Sequence, residues 1–435
     1  MKNNPFTYGN PITNPARFVG RESEMNQILT RLRNAAFESS SVVGERRIGK
    51  SSLLNALEAQ NLELGDQRET ACVLSLDPQM LSSQATPRRF WDRVLRQLSR
   101  TLPDGQLKVA VEELRQAENL DTFDLSDLFD QLDDAGLSVV LLLDEFERVA
   151  GNSNFGPDFF YGLRALAIHH RLALITASYA ELSTLSHSDD VRASPFFNIF
   201  ATVHLGSFDP EEADELFERY LADTDVRFQK SERAFLASIA GAHPYYLQIG
   251  GGFLFDAYQQ GLPDRERLTY TRERFTAEAE DTMEHSWRQS SDEEKISLTV
   301  LALLSAPQDR TAGGGFSKGK LTDYYSHAGP TLAQLARRGV VTEQDNGYTL
   351  FSAVLAEWIR KELRSAVATP QTYETWLNDP ANQGRLAQVK ASLAGDVKER
   401  VLPKLKESYW ELVVGWLTNP ATVTAAFELL RSQLG

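Results

Sequence analysis

Between residues 21 and 205, short runs of consecutive apolar residues alternate with longer stretches in which apolar positions recur every third or fourth residue. A continuous apolar run suits a strand buried on both faces, and the wider spacing suits a helix with one buried stripe. The pattern predicts strands at Ser41–Val43, Ala71–Leu76, Ser138–Leu143, Leu172–Thr176 and Ala201–Leu205. Helices are expected at Glu22–Phe37, Lys50–Gln60, Pro87–Leu98, Leu125–Ala135 and Phe159–His169. Strands alternating with helices make βα units, so the expected core is α/β, a doubly wound parallel sheet over residues 21–205.

Outside that stretch the pattern changes. Residues 1–20 are rich in Pro, Asn and Gly and predict an extended strap rather than a helix. Residues 206–287 read as helices and form an expected helical lid domain. Pro210, Glu211 and Glu212 mark one helix start, since proline and acids suit a first turn. Over residues 288–364, helical spacing at Leu332–Arg338 is followed by Val340–Thr342 and Tyr348–Leu350 around the turn Asp345-Asn346-Gly347. Helices and then a hairpin predict a winged-helix domain, with Gly313-Gly314-Gly315 as a loop inside it. Residues 366–435 predict a small C-terminal helical domain whose core could use Trp376, Trp410 and Trp416.

Composition narrows the classes. The 435 residues exceed one ordinary domain, and 42% hydrophobic with 24% charged residues fits globular protein. A net charge of −15 argues against broad contact with phosphate backbones. One cysteine, Cys72, excludes an intramolecular disulfide and a multi-cysteine metal site, and fits a reducing, cytoplasmic compartment. No signal-like h-region opens the chain and no apolar run is long enough to span a bilayer, so no membrane role is expected.

Two motifs carry chemistry. Gly44-Glu45-Arg46-Arg47-Ile48-Gly49-Lys50-Ser51 matches G-x-x-x-x-G-K-[ST], between a predicted strand and a helix that continues through Ser52. Glycines let backbone N–H groups turn inward around a phosphate, and the helix N-terminus adds positive potential. Lys50 would reach the β- and γ-phosphates, and the Ser51 hydroxyl would ligate Mg²⁺. About 95 residues on, the run Val139–Leu143 ends in Asp144-Glu145. A buried strand delivers these acids to the sheet edge where phosphates sit; Asp144 would hold Mg²⁺ and Glu145 would polarise the attacking water. Lys50, Asp144 and Glu145 are therefore the catalytic candidates of an expected P-loop ATPase.

These residues resemble the STAND branch of AAA+-related ATPases, particularly its bacterial and archaeal AAA-like members. The resemblance runs from about residue 5 to 364 and rests on Asn4-Pro5-Phe6, Phe18-Val19-Gly20-Arg21-Glu22, the phosphate loop, Leu142–Glu147, Thr176–Ser178 and Gly241–Leu247. It implies that Phe18, Val19, Gly20 and Pro244 line an adenine pocket. It further implies that His243 approaches a phosphate and that a polar side chain at Thr176–Ser178, with Ser178 the candidate, senses the γ-phosphate. ATP or ADP with Mg²⁺ are the implied cofactors. Family members act as switches, closed with ADP and opened by ATP into an oligomer that recruits or activates an effector, and a role in stress response or antiviral defence is implied. No arginine finger is assignable among Arg148, Arg164, Arg171 and Arg192.

The winged helix raises nucleic acid as an alternative, in the manner of an initiator or remodeller. Over residues 290–364, nine Lys and Arg meet nine Asp and Glu, and the wing turn carries Glu343 and Asp345 without a base. A DNA reader clusters positive charge there, so a structural role is preferred. A third possibility is a scaffold with permanently bound ADP. The C-terminal helical domain, with neither His nor Cys, is expected to meet a protein sensor or effector rather than to catalyse.

Overall fold

The computed structural model of the chain describes residues 3–60, 63–64, 69–76, 84–185, 188, 195–291, 294–295, 297–298, 301–302, 328–344 and 347–365. The expected tail domain, the triple glycine, much of the expected winged helix and the Asp345-Asn346 turn lie outside the described residues. Tyr8–Tyr220 makes one compact unit; Met1–Thr7 with Leu221–Gly435 makes the other.

The first unit is built on a six-stranded sheet: β1 (Ser40–Gly44), β2 (Glu63–Leu64), β3 (Glu69–Leu76), β4 (Leu137–Leu143), β5 (Leu172–Ser178) and β6 (Ala201–Leu205). The order is β2-β3-β4-β5-β1-β6. Only the two-residue β2 is antiparallel, pairing with β3; the other five strands run parallel. β1 and β5 are buried at every position, as strands covered by helices on both faces must be. The alternation of side chains divides the packing. Val42, Val140, Leu142, Ala173 and Ile175 meet the helices Glu22–Arg33 and Lys50–Ala59 on one face. Cys72, Leu74, Val139, Leu141, Leu143 and Leu172 meet the helices Pro87–Thr101, Thr122–Asp134 and Pro157–His169 on the other.

Aromatic rings fill the second face. Phe90, Phe155, Phe159, Phe160 and Phe196 pack largely edge-to-face at centroid distances of 4.8 to 6.4 Å. Helix starts follow local chemistry: Thr86 caps Pro87–Thr101, and Asp121 forms a capping box with Asp124. The start of β5 is held by the His170 ring, which meets Ser126 Oγ at 2.8 Å and Asp133 Oδ2 at 3.2 Å.

Among its described residues the second unit is helical apart from one hairpin. Its helices are Lys230–Ala240, Pro244–Gln259, Asp264–Gln289, Ala328–Arg337 and Ala353–Ser365; β7 (Val341–Gln344) pairs antiparallel with β8 (Gly347–Leu350). Residues from the chain start belong here. Asn4 Nδ2 donates to Gly252 O at 2.9 Å and Asp256 Oδ1 at 2.8 Å, and Phe6 stacks on Phe228 at 5.9 Å. The Phe6 ring lies in a slot cut by Gly251, where an added Cβ would stand 2.6 Å from it. Glu232, Arg267 and Tyr258 form a largely enclosed network: Arg267 bonds both Glu232 and Asp264, and Tyr258 Oη donates to Glu232 at 2.6 Å. Ser352 accepts from Val354 N and Leu355 N and donates to Ile239 O, fixing the entry to the last helix.

Candidate functional site

The phosphate loop bridges β1 and the helix Lys50–Ala59, and its two glycines are required for different reasons. At Gly44 a Cβ would sit 2.7 Å from the carbonyl oxygen of Leu205, so β1 and β6 close together only around glycine. Gly49 has open space around it but φ 108°, a conformation other residues avoid. Arg47 also has positive φ, 64°, and the turn is closed by Ile48 N donating to Glu45 O at 3.3 Å. The loop thus turns sharply while Ile48 anchors it in the core at 0% exposure.

Lys50 is the first residue of the helix, and its Nζ folds back to donate to Gly44 O at 2.9 Å and Glu45 O at 3.0 Å. Burial pushes its pKa down against the pull of Glu147, Asp144, Glu45 and Glu145, in that order. The Ser51 hydroxyl lies close enough to the Asp144 carboxylate to favour its ionised form. Ser52 turns the other way: its Oγ accepts from Ile12 N at 3.0 Å, and Asn55 Nδ2 donates to Ile12 O at 3.1 Å, docking the strap along the helix.

β4 delivers the acids as its apolar run requires. Asp144 N donates to Leu76 O at 3.2 Å, extending the β3 pairing, and Phe146 N donates to Ala177 O at 2.9 Å, tying the next turn to β5. Asp144 Oδ1 accepts from Glu145 N at 3.0 Å. Burial raises the Asp144 pKa, opposed by the Ser51 hydroxyl, the Glu145 amide and Lys50. A hydroxyl beside a carboxylate within reach of a lysine is an all-oxygen donor pair of the kind a hard divalent cation takes, so Ser51 and Asp144 fit Mg²⁺. Glu145 adopts φ 45° and its Oε2 accepts from Arg148 Nε at 2.9 Å. That ion pair uses Arg148 locally.

On β5, Thr176 stands opposite both Leu143 and Ser41, and Ser178 opposite Val43. The strand therefore lies between the loop strand and the acid strand. Thr176 Oγ1 is buried without a hydrogen-bond partner among the described residues, whereas Ser178 Oγ donates to Ala180 O at 2.7 Å. Val19 is buried and Phe18 and Gly20 are partly so; Phe18 O accepts from Arg219 at 2.7 Å. In the other unit, Pro244 is the first residue of its helix, and His243 packs at 4.9 Å from the Tyr246 ring and 6.0 Å from that of Phe351.

Arg21 is a residue whose part the sequence did not reveal. Its guanidinium is buried, donates to Ile48 O at 3.2 Å and Gly206 O, 2.6 Å away, and pairs with Glu24 at 3.0 Å. Its backbone N–H donates to Glu212, and its charge lies 4.8 Å from the Phe208 ring centroid. Arg21 is thus a strut behind the phosphate loop, joining it to the end of β6. The only sequence signal was its place in the Phe18–Glu22 segment.

No curated protein matches the sequence. Among solved structures, a Walker-type ATPase of Pyrococcus abyssi superposes with a TM-score of 0.50 at 18% identity, covering 81% of this chain and 99% of its own. The ORC2 protein of Aeropyrum pernix, solved in complexes with ADPNP and ADP, gives 0.50 at 14% identity, covering 78% and 92%. At such identities the likeness speaks for a shared fold. The model of the family described as novel STAND NTPase 2 matches residues 34–303, well over half the chain and including the loop, the acids and Gly241–Leu247. The chain belongs to this family of STAND P-loop NTPases.

Proposed function

We propose that the chain binds ATP and ADP with Mg²⁺ at Gly44–Ser52, hydrolyses ATP, and uses the exchange of nucleotide as a signalling switch. The observation that carries the reading is the convergence of Lys50, Ser51 and Asp144 at the C-terminal edges of β1 and β4, in a chain of a STAND NTPase family. The loop amides and the helix N-terminus bind the β-phosphate, and Lys50 exchanges its two carbonyl partners for phosphate oxygens. Mg²⁺, held through Ser51 and Asp144, would neutralise charge on the phosphates. Glu145, directly after Asp144, polarises the attacking water. Phe18, Val19, Gly20, Pro244 and His243 keep the base-pocket and phosphate roles that the family resemblance gives them, as part of the proposal. The output is recruitment of a protein effector, with a nucleotide-dependent homo-oligomer as the active form and the C-terminal segment meeting the partner.

Denaturing the purified protein and identifying any released nucleotide chromatographically tests the switch, since ADP at one per chain is expected. Lys50→Ala should weaken ATP binding at least about 100-fold, the loss expected for a charge-assisted phosphate contact in a preformed loop. Unchanged binding in a titration with labelled ATP would refute the assignment of the loop.

A further inference from the structure

The phosphate loop follows the end of β1, and His170 precedes the start of the parallel strand β5, at the opposite edge of the sheet. There the C-terminal part of the helix Thr122–Asp134 meets the chain entering β5 and brings three metal-ligating side chains together. His170 Nδ1 lies 3.2 Å from Asp133 Oδ2 and 3.4 Å from Asp130 Oδ1. One donor atom from each residue falls within 4.8 Å of the others. Asp130 and Asp133 stand three positions apart, so they share a face of the helix. An ion bonded at about 2.1 Å holds two ligands about 3.4 Å apart at the tetrahedral angle and about 3.0 Å apart at a right angle. Both separations from His170 match that spacing.

The remaining atoms of the cluster are held as an ion site requires. His170 Nε2 meets Ser126 Oγ at 2.8 Å; donating there leaves Nδ1 with its lone pair toward the carboxylates. Asp133 Oδ1 accepts from Arg171 N at 3.2 Å, which orients that carboxylate. The imidazole side chain is 4% exposed and packs 5.8 Å from the Phe129 ring, so its plane is fixed. Among the described residues the ion pairs of Asp130 and Asp133 are with His170 alone, so no lysine or arginine offsets their charge. The helix C-terminus adds negative potential at the same place. A lone pair and two carboxylate oxygens converging there repel one another unless a cation lies between them. Asp130, with a side chain 68% exposed, leaves the cluster open to solvent, which gives an ion its way in.

We infer that Asp130, Asp133 and His170 bind a divalent transition-metal ion, Zn²⁺ by the nature of the donors. His170 ligates through Nδ1, each aspartate through one oxygen, and solvent completes the coordination. One imidazole with two carboxylates suits Zn²⁺ rather than Mg²⁺, which takes oxygen ligands. The ion joins the end of the helix Thr122–Asp134 to the start of β5 and so stabilises the folded unit. The site is independent of the nucleotide reading above, because it lies at the other edge of the sheet.

The test strips the full-length protein with EDTA and titrates it with ZnCl₂ by calorimetry. Excess Mg²⁺ is present throughout to fill an oxygen site such as Ser51 with Asp144. One Zn²⁺ per chain should bind, and the melting temperature should rise with Zn²⁺ concentration. Co²⁺ in its place should give visible d–d absorption. Asp130→Asn and Asp133→Asn should each weaken Zn²⁺ binding at least about tenfold, and Ser126→Ala, which removes only the partner of Nε2, about 10- to 100-fold. A wild type that takes up no Zn²⁺ would overturn the inference and leave His170 as a plain imidazole–carboxylate contact. Equal affinity in wild type and both aspartate variants would place the bound ion elsewhere and overturn it too. If Asp133→Asn does not fold, the exposed Asp130→Asn decides: weakened binding supports the site, and unchanged binding refutes it.

Discussion

Four non-glycine residues among those described have positive φ: Arg21, Phe37, Arg47 and Glu145. Three of them surround the phosphate loop, where such conformations are tolerated because neighbouring bonds fix them. Arg21 shows how. Its N–H is held by Glu212 and its guanidinium by Ile48 O, Gly206 O and Glu24. Arg21→Ala should cost about 3 kcal/mol in urea denaturation, because it leaves Glu24 without its buried partner and two carbonyls unbonded. Arg21→Lys should recover little of this, since an ammonium cannot span three acceptors in a plane. At this scale the chain was unevenly legible. Gly44, Lys50, Ser51 and Asp144 follow from a fixed spacing whose chemistry is known. The second task of Ser52 does not: its hydroxyl serves the backbone of Ile12 and so docks the strap. The strut made by Arg21 leaves no trace in spacing, because it arises from contacts between residues distant in sequence.

Elements were read more faithfully than contacts. All five parallel strands stand where the apolar runs placed them, extended by one or two residues at half of their ends. The helix expected at Glu22–Phe37 ends at Arg33, since Asn34 is extended and Phe37 adopts φ 48°, dropping its ring into the core. The helix Gln106–Gln116 was not among those predicted, although Leu107, Ala110, Val111 and Leu114 recur at helical spacing and pack against the core. The hairpin β7–β8 falls within two residues of the expected strands, and the helix Pro244–Gln259 carries three consecutive glycines. Gly250, Gly251 and Gly252 weaken a helix by themselves, yet Gly250 makes room for Leu236, while Gly251 and Gly252 admit the chain start: Phe6 occupies the slot and Asn4 bonds Gly252 O. Phe6→Ala should therefore destabilise this unit by about 3 to 4 kcal/mol, the usual cost of emptying a site filled by phenylalanine. Limited proteolysis of the variant should then cut within Lys230–Gln259 sooner than in wild type, and equal resistance would show that the ring adds little.

For the molecule as a whole, charge and burial set the conditions of activity. The site holds a lysine whose pKa burial lowers and carboxylates at Asp144 and Glu147 whose pKa burial raises. On the acid side, Asp144 and Glu147 take up protons at a pH where ordinary carboxylates are still ionised; on the alkaline side, Lys50 loses its proton before an ordinary lysine would. Mg²⁺-dependent ATP affinity should accordingly plateau over a narrower pH range than exposed groups would give, and titrations across pH 5 to 10 check this. The linkage to folding has the opposite sign to common acid denaturation. Asp144 and Glu147 hold more protons folded than unfolded, so their contribution to stability rises as pH falls toward their ordinary values and is lost above their folded values. Asp144→Asn should make the nucleotide-free protein more stable near neutral pH while abolishing Mg²⁺-dependent binding, measurable by paired melts with and without MgATP. Among the described residues no helix is long and apolar enough to cross a membrane.

Cys72 lies inside β3, 5% exposed, with its thiol pushed up by burial. A thiol so placed is a poor nucleophile, and it is the only one in the chain. For maleimide chemistry the native protein is thus effectively blank. A cysteine introduced at an exposed position such as Phe123, 82% exposed, would carry a single dye without removal of the native one. Fluorescence could then follow the nucleotide cycle in real time on an otherwise unaltered chain.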